Sequence, residues 1–159
     1  MRETTADLQP SERQILDDVE EHGVHIVHVP ERGERPPFSA TVGLWHSFEQ
    51  PEVIVFGMPR EVAHMLLDAI ADEASEGKTF LSGSQHDGLL QHYAVRFLDV
   101  PASLRGEYFT AAAWAYDGAP FSAVQLVWPD KQGRWPWSEG VREAFRECQP
   151  VLSQPERAE

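Results

Sequence analysis

The chain has little of several residue types that would point directly to a function. Its 159 residues include one cysteine, Cys148, so neither an intramolecular disulfide nor a multi-cysteine zinc site can form. It has 13 lysines and arginines against 26 aspartates and glutamates, and its formal net charge is −13. This shortage of positive charge argues against sequence-independent binding of nucleic acid and against docking on an anionic membrane.

Long apolar runs are missing as well. The longest extend over only a few residues, far short of a membrane span, and residues 1–14, MRETTADLQPSERQ, contain no apolar region of a signal peptide. The sequence therefore predicts a cytoplasmic protein. Since 42% of the 159 residues are hydrophobic, we expect one domain with a hydrophobic core of its own.

Patterns that mark common catalytic and cofactor sites are also scarce. Neither a Gly-x-Gly-x-x-Gly segment nor a Walker phosphate-binding loop occurs, so the identity of any cofactor is unknown. Ser82, Ser84, His86 and Asp87 lie in one segment, but a stretch rich in serine, glycine and aspartate is more often a turn than a catalytic group. Cys148 lies near the end of a predicted helix, where the helix dipole disfavours a reactive thiolate.

Seven histidines raise the question of a metal site. His25 and His28 are three residues apart on a predicted strand, so their side chains should point to opposite faces. The spacings typical of metal-binding helices do not occur, and the sequence predicts no metal site. A site drawn from distant segments and a carboxylate stays open, for example one that combines His46 with His86 or His92.

Alternation and helical periodicity predict the secondary structure. Strands are expected over residues 24–29, 38–45, 53–56, 92–100 and 121–128. Helices are expected after a capping box at residues 11–14, from Pro59 to near Gly77, over 108–116 and over 139–148. The tight connection between the second and third strands favours an antiparallel pair. We therefore predict an α+β fold with a mostly antiparallel sheet of about five strands, covered by helices on one side.

The domain should comprise residues 11–149, between a frayed segment 1–10 and a flexible tail 150–159. Its clearest helix starts at Pro59, and we expect His64 and Asp68 to face water there and to pair with each other. The apolar stripe of that helix, which should pack on the sheet, consists of Val62, Met65, Leu66, Ala69 and Ile70.

Three segments together resemble a known family. They are FSATVGL at residues 38–44, PEVIVFG at residues 51–57 and QLVWPDKQGRWPW at residues 125–137. In this order and spacing they resemble the bacterial family called domain of unknown function 4262, over about residues 24–137. The resemblance implies an uncharacterised protein with one α+β domain. It implies no activity, cofactor or catalytic residue.

The last of these segments also contains three of the chain's five tryptophans, Trp128, Trp135 and Trp137. Tryptophan clusters often anchor a core or a binding surface, and a few polar groups beside aromatic walls are typical of ligand sites. We therefore expect a cleft between segments 45–52 and 128–137, with Trp128 and Trp135 partly exposed near Glu52, His46 or Asp130. The candidate ligand-binding residues are Thr41, Trp45, His46, Glu52, Gln125, Trp128, Asp130 and Trp135.

A structural explanation of the same residues stays open. Glu52 would then cap a turn, Asp130 would form a turn with residues 131–133, and the tryptophans would close the core. Two functions remain. The first is binding, or also chemical transformation, of a small molecule in the cleft, so whether the protein is an enzyme is open. The second is a non-enzymatic acidic module that binds a basic protein, such as a toxin that it neutralises. A homo-oligomer is compatible with both.

Overall fold

A six-stranded sheet forms the centre of the computed structural model, which describes residues 1–153. Its strands are β1 (His25–Val29), β2 (Phe38–Val42), β3 (Glu52–Phe56), β4 (Gln85–Leu90), β5 (Tyr93–Asp99) and β6 (Ala123–Val127). The helices are α1 (Pro10–His22), α2 (Leu44–Phe48), α3 (Arg60–Ser75), α4 (Ala102–Tyr108), α5 (Thr110–Ala115) and α6 (Glu143–Cys148).

The spatial order of the strands is β1-β2-β3-β6-β5-β4, and every neighbouring pair is antiparallel except β3 and β6, which run parallel. The predicted α+β fold with a mostly antiparallel sheet is confirmed. The additional strand is β4, whose polar, glycine-containing sequence was expected to form a loop. It lies at the edge of the sheet, and within the described part of the chain it pairs with β5 alone, so it needs no buried apolar face.

Hydrophobic cores cover both faces of the sheet, so the prediction that helices cover one side is wrong. Ile54 and Phe56 of β3 belong to a core with α1 and α5, whereas Val53 and Val55 belong to a core with α3. All residues of β3 are buried. A strand that is apolar on both faces needs cover on both, and the helices divide accordingly.

Helix α3 packs through a face that is rotated from the predicted one. Leu66 and Ile70 are buried as expected, and His64 and Asp68 are exposed, but Val62 is 40% and Met65 71% exposed. The prediction that Val62 and Met65 are buried is therefore wrong. The residues that face the sheet are Ala63, Leu66, Leu67, Ile70, Ala71 and Ala74. This stripe also follows the helical repeat, and its alanines leave room for a close approach to the strands.

Both ends of the described chain make contacts with the domain. Arg2 donates from its guanidinium to the carbonyl oxygen of Trp114 over 2.9 Å, within the segment that was expected to fray. Leu152 is buried, so packing extends past the predicted start of the tail at residue 150. Residues 154–159 of that predicted tail lie outside the described residues. Within residues 1–153 no helix combines the length and the apolar character that a membrane crossing requires.

Candidate functional site

Glu52 is the first residue of β3 and its side chain is fully buried. The Oγ1 of Thr41 donates to its carboxylate over 2.7 Å, and the hydroxyl of Tyr116 donates to it as well. The backbone N–H groups at the start of α2 also point at this carboxylate. They are those of Gly43, Leu44 and Trp45, at 3.0, 3.2 and 3.1 Å. The carboxylate therefore satisfies the unpaired donors of a helix N-terminus.

The turn that makes this arrangement possible depends on Gly43. Its φ is 117°, and a Cβ at this position would lie 2.7 Å from the carbonyl oxygen of Gly23. Only glycine fits such a conformation and such a close approach. The strand therefore ends at Val42 and helix α2 follows, whereas the sequence predicted a strand through Trp45. Trp45 lies on this helix and is 37% exposed.

Burial sets the protonation of this group. Desolvation raises the pKa of Glu52, and the hydrogen bonds from Tyr116, Thr41 and the backbone oppose that rise without cancelling it. Desolvation and the neighbouring Glu52 charge raise the pKa of Tyr116 well above its usual range. The backbone N–H of His46 donates to the same tyrosine hydroxyl over 3.1 Å, while the imidazole of His46 is exposed. No ligand can reach the Glu52 carboxylate without opening this network.

Gln125 and Trp128 hold the C-terminal segment against the sheet. The fully buried amide of Gln125 donates to the Pro150 carbonyl over 2.7 Å and accepts from the Leu152 N–H over 2.9 Å. The backbone N–H of Trp128 donates to the side-chain oxygen of Gln149 over 2.8 Å, and the Gln149 amide donates back to the Trp128 carbonyl oxygen over 2.9 Å. The indole N–H of Trp128 donates to the Phe56 carbonyl oxygen of β3 over 2.8 Å. These contacts satisfy buried polar groups and leave none of them pointing into a cleft.

Asp130 and Trp135 shape the loop that follows. The Asp130 carboxylate accepts from the N–H groups of Gln132 and Arg134 over 2.9 and 2.8 Å, and it pairs with the Arg134 guanidinium over 3.0 Å. Desolvation raises the pKa of Asp130, but the contacts with Arg134 outweigh it and hold the pKa below its usual range. This is the turn that the structural explanation predicted.

The indoles of Trp135 and Trp137 stack with ring centroids 5.7 Å apart. The guanidinium of Arg96 on β5 lies 5.2 Å from the Trp135 ring and 5.8 Å from the Trp137 ring, an arrangement that favours cation–π attraction. Arg96 also donates to the side chain of Gln85 over 3.1 Å. Residues 128–137, which we call the tryptophan loop, therefore pack against β5 through Arg96.

The predicted cleft between segments 45–52 and 128–137 does not form, because these segments lie at opposite ends of the sheet. Strands β3 and β6 are parallel, and Glu52 is opposite Ala123. Trp128 comes five residues after Ala123, which corresponds to about 16 Å at roughly 3.3 Å per residue. Trp128 and Trp135 are half-buried as expected. Of their three expected neighbours, Glu52 and His46 lie at the other end of the sheet, whereas Asp130 lies in the loop that connects the two tryptophans.

The eight candidate residues thus fall into separate groups. Thr41, Trp45 and His46 lie with Glu52, whereas Trp128, Asp130 and Trp135 lie toward the other end, with Gln125 buried between them. Whether any of them binds a ligand stays a prediction.

A groove that the sequence did not predict runs along the edge strand β1, between α1 and α3. Its volume is about 570 Å³. The floor is apolar, with Val24, Ile26, Phe48 and Ala71, and the polar lining consists of Asp18, His22, His25, His64, Asp68, Asp72 and Ser75. Part of this groove could have been predicted from the sequence, because His64, Asp68 and Asp72 repeat every four residues and so lie on one face of the helix. It contains no indication that α1 faces the same edge strand.

The two histidines of β1 form hydrogen bonds on opposite faces of the strand. His25 Nδ1 lies 2.7 Å from Asp18 Oδ2 on α1, whereas His28 Nε2 lies 3.0 Å from His64 Nδ1 on α3. The two β1 side chains thus point to opposite faces, as their spacing predicts. Burial lowers the pKa of His28, with Arg60, His64 and His25 adding to this and Glu61 opposing it.

Other groups that could have carried chemistry are engaged differently. The Ser84 hydroxyl lies 2.6 Å from the Leu81 carbonyl oxygen and 3.0 Å from His86 Nε2, so the carbonyl and the imidazole compete for its single proton. Burial raises the pKa of the Cys148 thiol. Within residues 1–153, no three side chains of histidine, cysteine, aspartate or glutamate are grouped to hold a metal ion.

Comparison with known proteins gives one result. A family model described as "Domain of unknown function (DUF4262)" matches residues 18–142, a range that contains all three segments described above. Neither the curated proteins nor the solved structures include a match.

Proposed function

This chain belongs to the family described as Domain of unknown function (DUF4262), a description without an activity, and from the geometry we propose that it binds a small organic cation between α1 and α3. The observation that carries the proposal is the convergence of Asp18, Asp68 and Asp72 on one concave site. These carboxylates come from two helices, and among residues 1–153 no lysine or arginine lines the groove. An amine or guanidinium group would supply the missing positive charge.

The remaining lining supports a ligand with an alkyl body. Phe48 and Ile26 provide an apolar floor against which methylene groups can pack. The volume of about 570 Å³ lies within the range typical of small-molecule sites. Asp18 already pairs with His25, and Asp68 lies 3.6 Å from His64. The Asp72 carboxylate has no hydrogen-bond or ion-pair partner among residues 1–153, which leaves it available to a ligand.

The test uses two probes of matched length, 1,4-diaminobutane and 1,4-butanediol, in isothermal titration calorimetry. The diamine should bind and the uncharged diol should not. Asp72→Asn should weaken diamine binding about fivefold, the effect of a partly exposed charge pair of about 1 kcal/mol. The matched control is Asp87→Asn on β4 at the opposite edge of the sheet, which should bind like the wild type. Equal binding of both probes, or an unchanged affinity in Asp72→Asn, would contradict the proposal.

A basic protein partner is the second candidate, and the formal net charge of −13 favours it. Association driven by this charge should slow markedly as salt rises from low to physiological concentration. A pull-down from the source cells that recovers the same proteins equally well at both concentrations would contradict this candidate, and so would one that recovers none.

A further inference from the structure

We propose that His28 and His64 form a two-histidine site for a divalent transition-metal ion of the Cu²⁺, Ni²⁺ and Zn²⁺ group. The two residues are 36 positions apart in the chain and come from β1 and α3. Their facing nitrogens, His28 Nε2 and His64 Nδ1, are 3.0 Å apart. This proposal does not rest on cation binding in the groove, although His64 also lines that groove.

The separation of the nitrogens is compatible with chelation. Histidine nitrogens bind such ions at roughly 2.0–2.1 Å, so two of them on one ion lie about 2.9–3.4 Å apart for bond angles between a right angle and the tetrahedral angle. The observed 3.0 Å is near the lower end, which suits the right-angled positions that Cu²⁺ and Ni²⁺ prefer. The ring centroids are 5.2 Å apart, so the two nitrogens face each other directly, and both rings have to turn before their lone pairs meet at one ion. Water would complete the coordination, because the protein supplies two ligands.

The outer nitrogens have the partners that metal-binding histidines usually have. His28 Nδ1 lies 2.7 Å from the hydroxyl oxygen of Ser39, which is buried on β2, and can donate to it. His64 Nε2 lies 3.6 Å from Asp68 Oδ2, too far for a hydrogen bond but close enough for electrostatic attraction. When each outer nitrogen carries the proton of its ring, both facing nitrogens present a lone pair. Contacts of this kind fix the ring orientation and increase the basicity of the ligating nitrogen.

Charges of both signs surround the pair. Arg60 at the start of α3 repels a metal cation, whereas Glu61 and Asp68 on the same helix attract one. Without a metal, a hydrogen bond between the two imidazoles occupies the same space, so metal and proton compete for the pair.

The experiment titrates Cu²⁺, Ni²⁺ and Zn²⁺ into protein without a histidine tag at about pH 7.5, with Mg²⁺ as a control that prefers oxygen ligands. Calorimetry should show one ion bound per chain with Cu²⁺ tightest, and the electron paramagnetic resonance spectrum of bound Cu²⁺ should show coupling to two imidazole nitrogens. His28→Asn and His64→Asn should each weaken binding at least tenfold. Asp68→Asn should weaken it about tenfold through the loss of the outer contact.

The matched control is His92→Asn, an exposed histidine with a φ of 74°, a conformation that asparagine tolerates. It should bind metal like the wild type. His64 is exposed, so His64→Asn should fold even if His28→Asn does not. Asp72→Asn separates the two proposals, because it should weaken diamine binding and leave metal binding unchanged. Failure of the wild type to bind these ions, or wild-type affinity in His64→Asn, would overturn the proposal.

Discussion

At the scale of single residues, the carboxylate of Glu52 lies in a closed network of donors. The hydroxyl of Tyr116 connects it to the N–H of His46, and the first N–H groups of α2 complete the set. A buried carboxylate is stable only when such donors surround it, because desolvation without them is costly. Glu52 and Thr41 therefore act as the structural junction between β2, α2 and β3, and the loss of one donor should lower stability.

We expect Tyr116→Phe to lower the free energy of unfolding by about 1–3 kcal/mol, since the buried carboxylate loses a hydrogen-bond donor. The matched control is Tyr108→Phe, because the Tyr108 hydroxyl has no hydrogen-bond partner among residues 1–153. Urea denaturation of both variants checks this prediction. A loss as large in Tyr108→Phe as in Tyr116→Phe would show that the network around Glu52 is not the cause.

His28 should make stability depend on pH. Its pKa in the folded protein is lowered from 6.5 chiefly by burial, with Arg60, His64 and His25 adding to the effect and Glu61 opposing it. The stability that neutral His28 contributes is therefore present above about pH 6.5 and is lost as pH falls through the folded-state pKa. Between about pH 8 and 5, the free energy of unfolding should fall less in His28→Asn than in the wild type. Parallel curves for the two proteins would contradict this.

At the scale of elements, helix α3 has a buried face and a mixed outer face. Leu66 is 3% exposed and Met65 beside it is 71% exposed, although both belonged to the predicted apolar stripe. The buried stripe follows Ala63, Leu67 and Ala74, so small side chains determine how closely the helix lies on the sheet. The outer face is free to carry His64, Asp68 and Asp72 toward the edge strand.

We therefore expect Leu66→Ala to lower the free energy of unfolding by about 2–5 kcal/mol, because it leaves a cavity in the core. Met65→Ala, one position away on the same helix, should change it by less than about 0.5 kcal/mol, as for other surface substitutions. Chemical denaturation of the pair measures the difference. A large loss in Met65→Ala would mean that this surface is buried in solution, for example against a second copy of the chain.

At the scale of the whole molecule, the charge is strongly unbalanced. With 26 acidic and 13 basic side chains, the chain has a formal net charge of −13. The negative charges on such a surface repel one another in the folded state, and salt screens that repulsion. The acidic groove lies at β1, one of the two edge strands of the sheet. It is therefore one part of a molecule whose surface is acidic overall.

The free energy of unfolding should therefore rise as sodium chloride increases from about 0.01 M to 0.15 M, where the screening length falls from about 30 Å to about 8 Å. Choline chloride at the same ionic strength should have the same effect, because screening depends on ionic strength and not on the kind of cation. Denaturation curves in both salts check this. A fall in stability with salt would contradict net repulsion, and an effect of sodium alone would indicate binding of the ion.

Local patterns in the sequence determined much of the fold. The apolar run of β3 and the aspartate turn at Asp130 depend on neighbours along the chain, so periodicity and turn chemistry were sufficient to predict them. The three segments that indicated the family also contact one another, because Glu52 accepts a hydrogen bond from the Gly43 N–H and Trp128 donates one to the Phe56 carbonyl oxygen. Strand β4 was missed because an exposed edge strand needs no apolar alternation.

Only the tertiary structure decided where a site could lie. The parallel pairing of β3 with β6 placed Glu52 and Trp128 at opposite ends of the sheet, although the sequence predicted that their two segments line one cleft. The same topology left β1 at an edge between α1 and α3, which brought Asp18 to Asp72 and His28 to His64. The strand order depends on how both faces of the sheet are buried at the same time. It is therefore a property of the whole chain, and no single segment of the sequence predicts it.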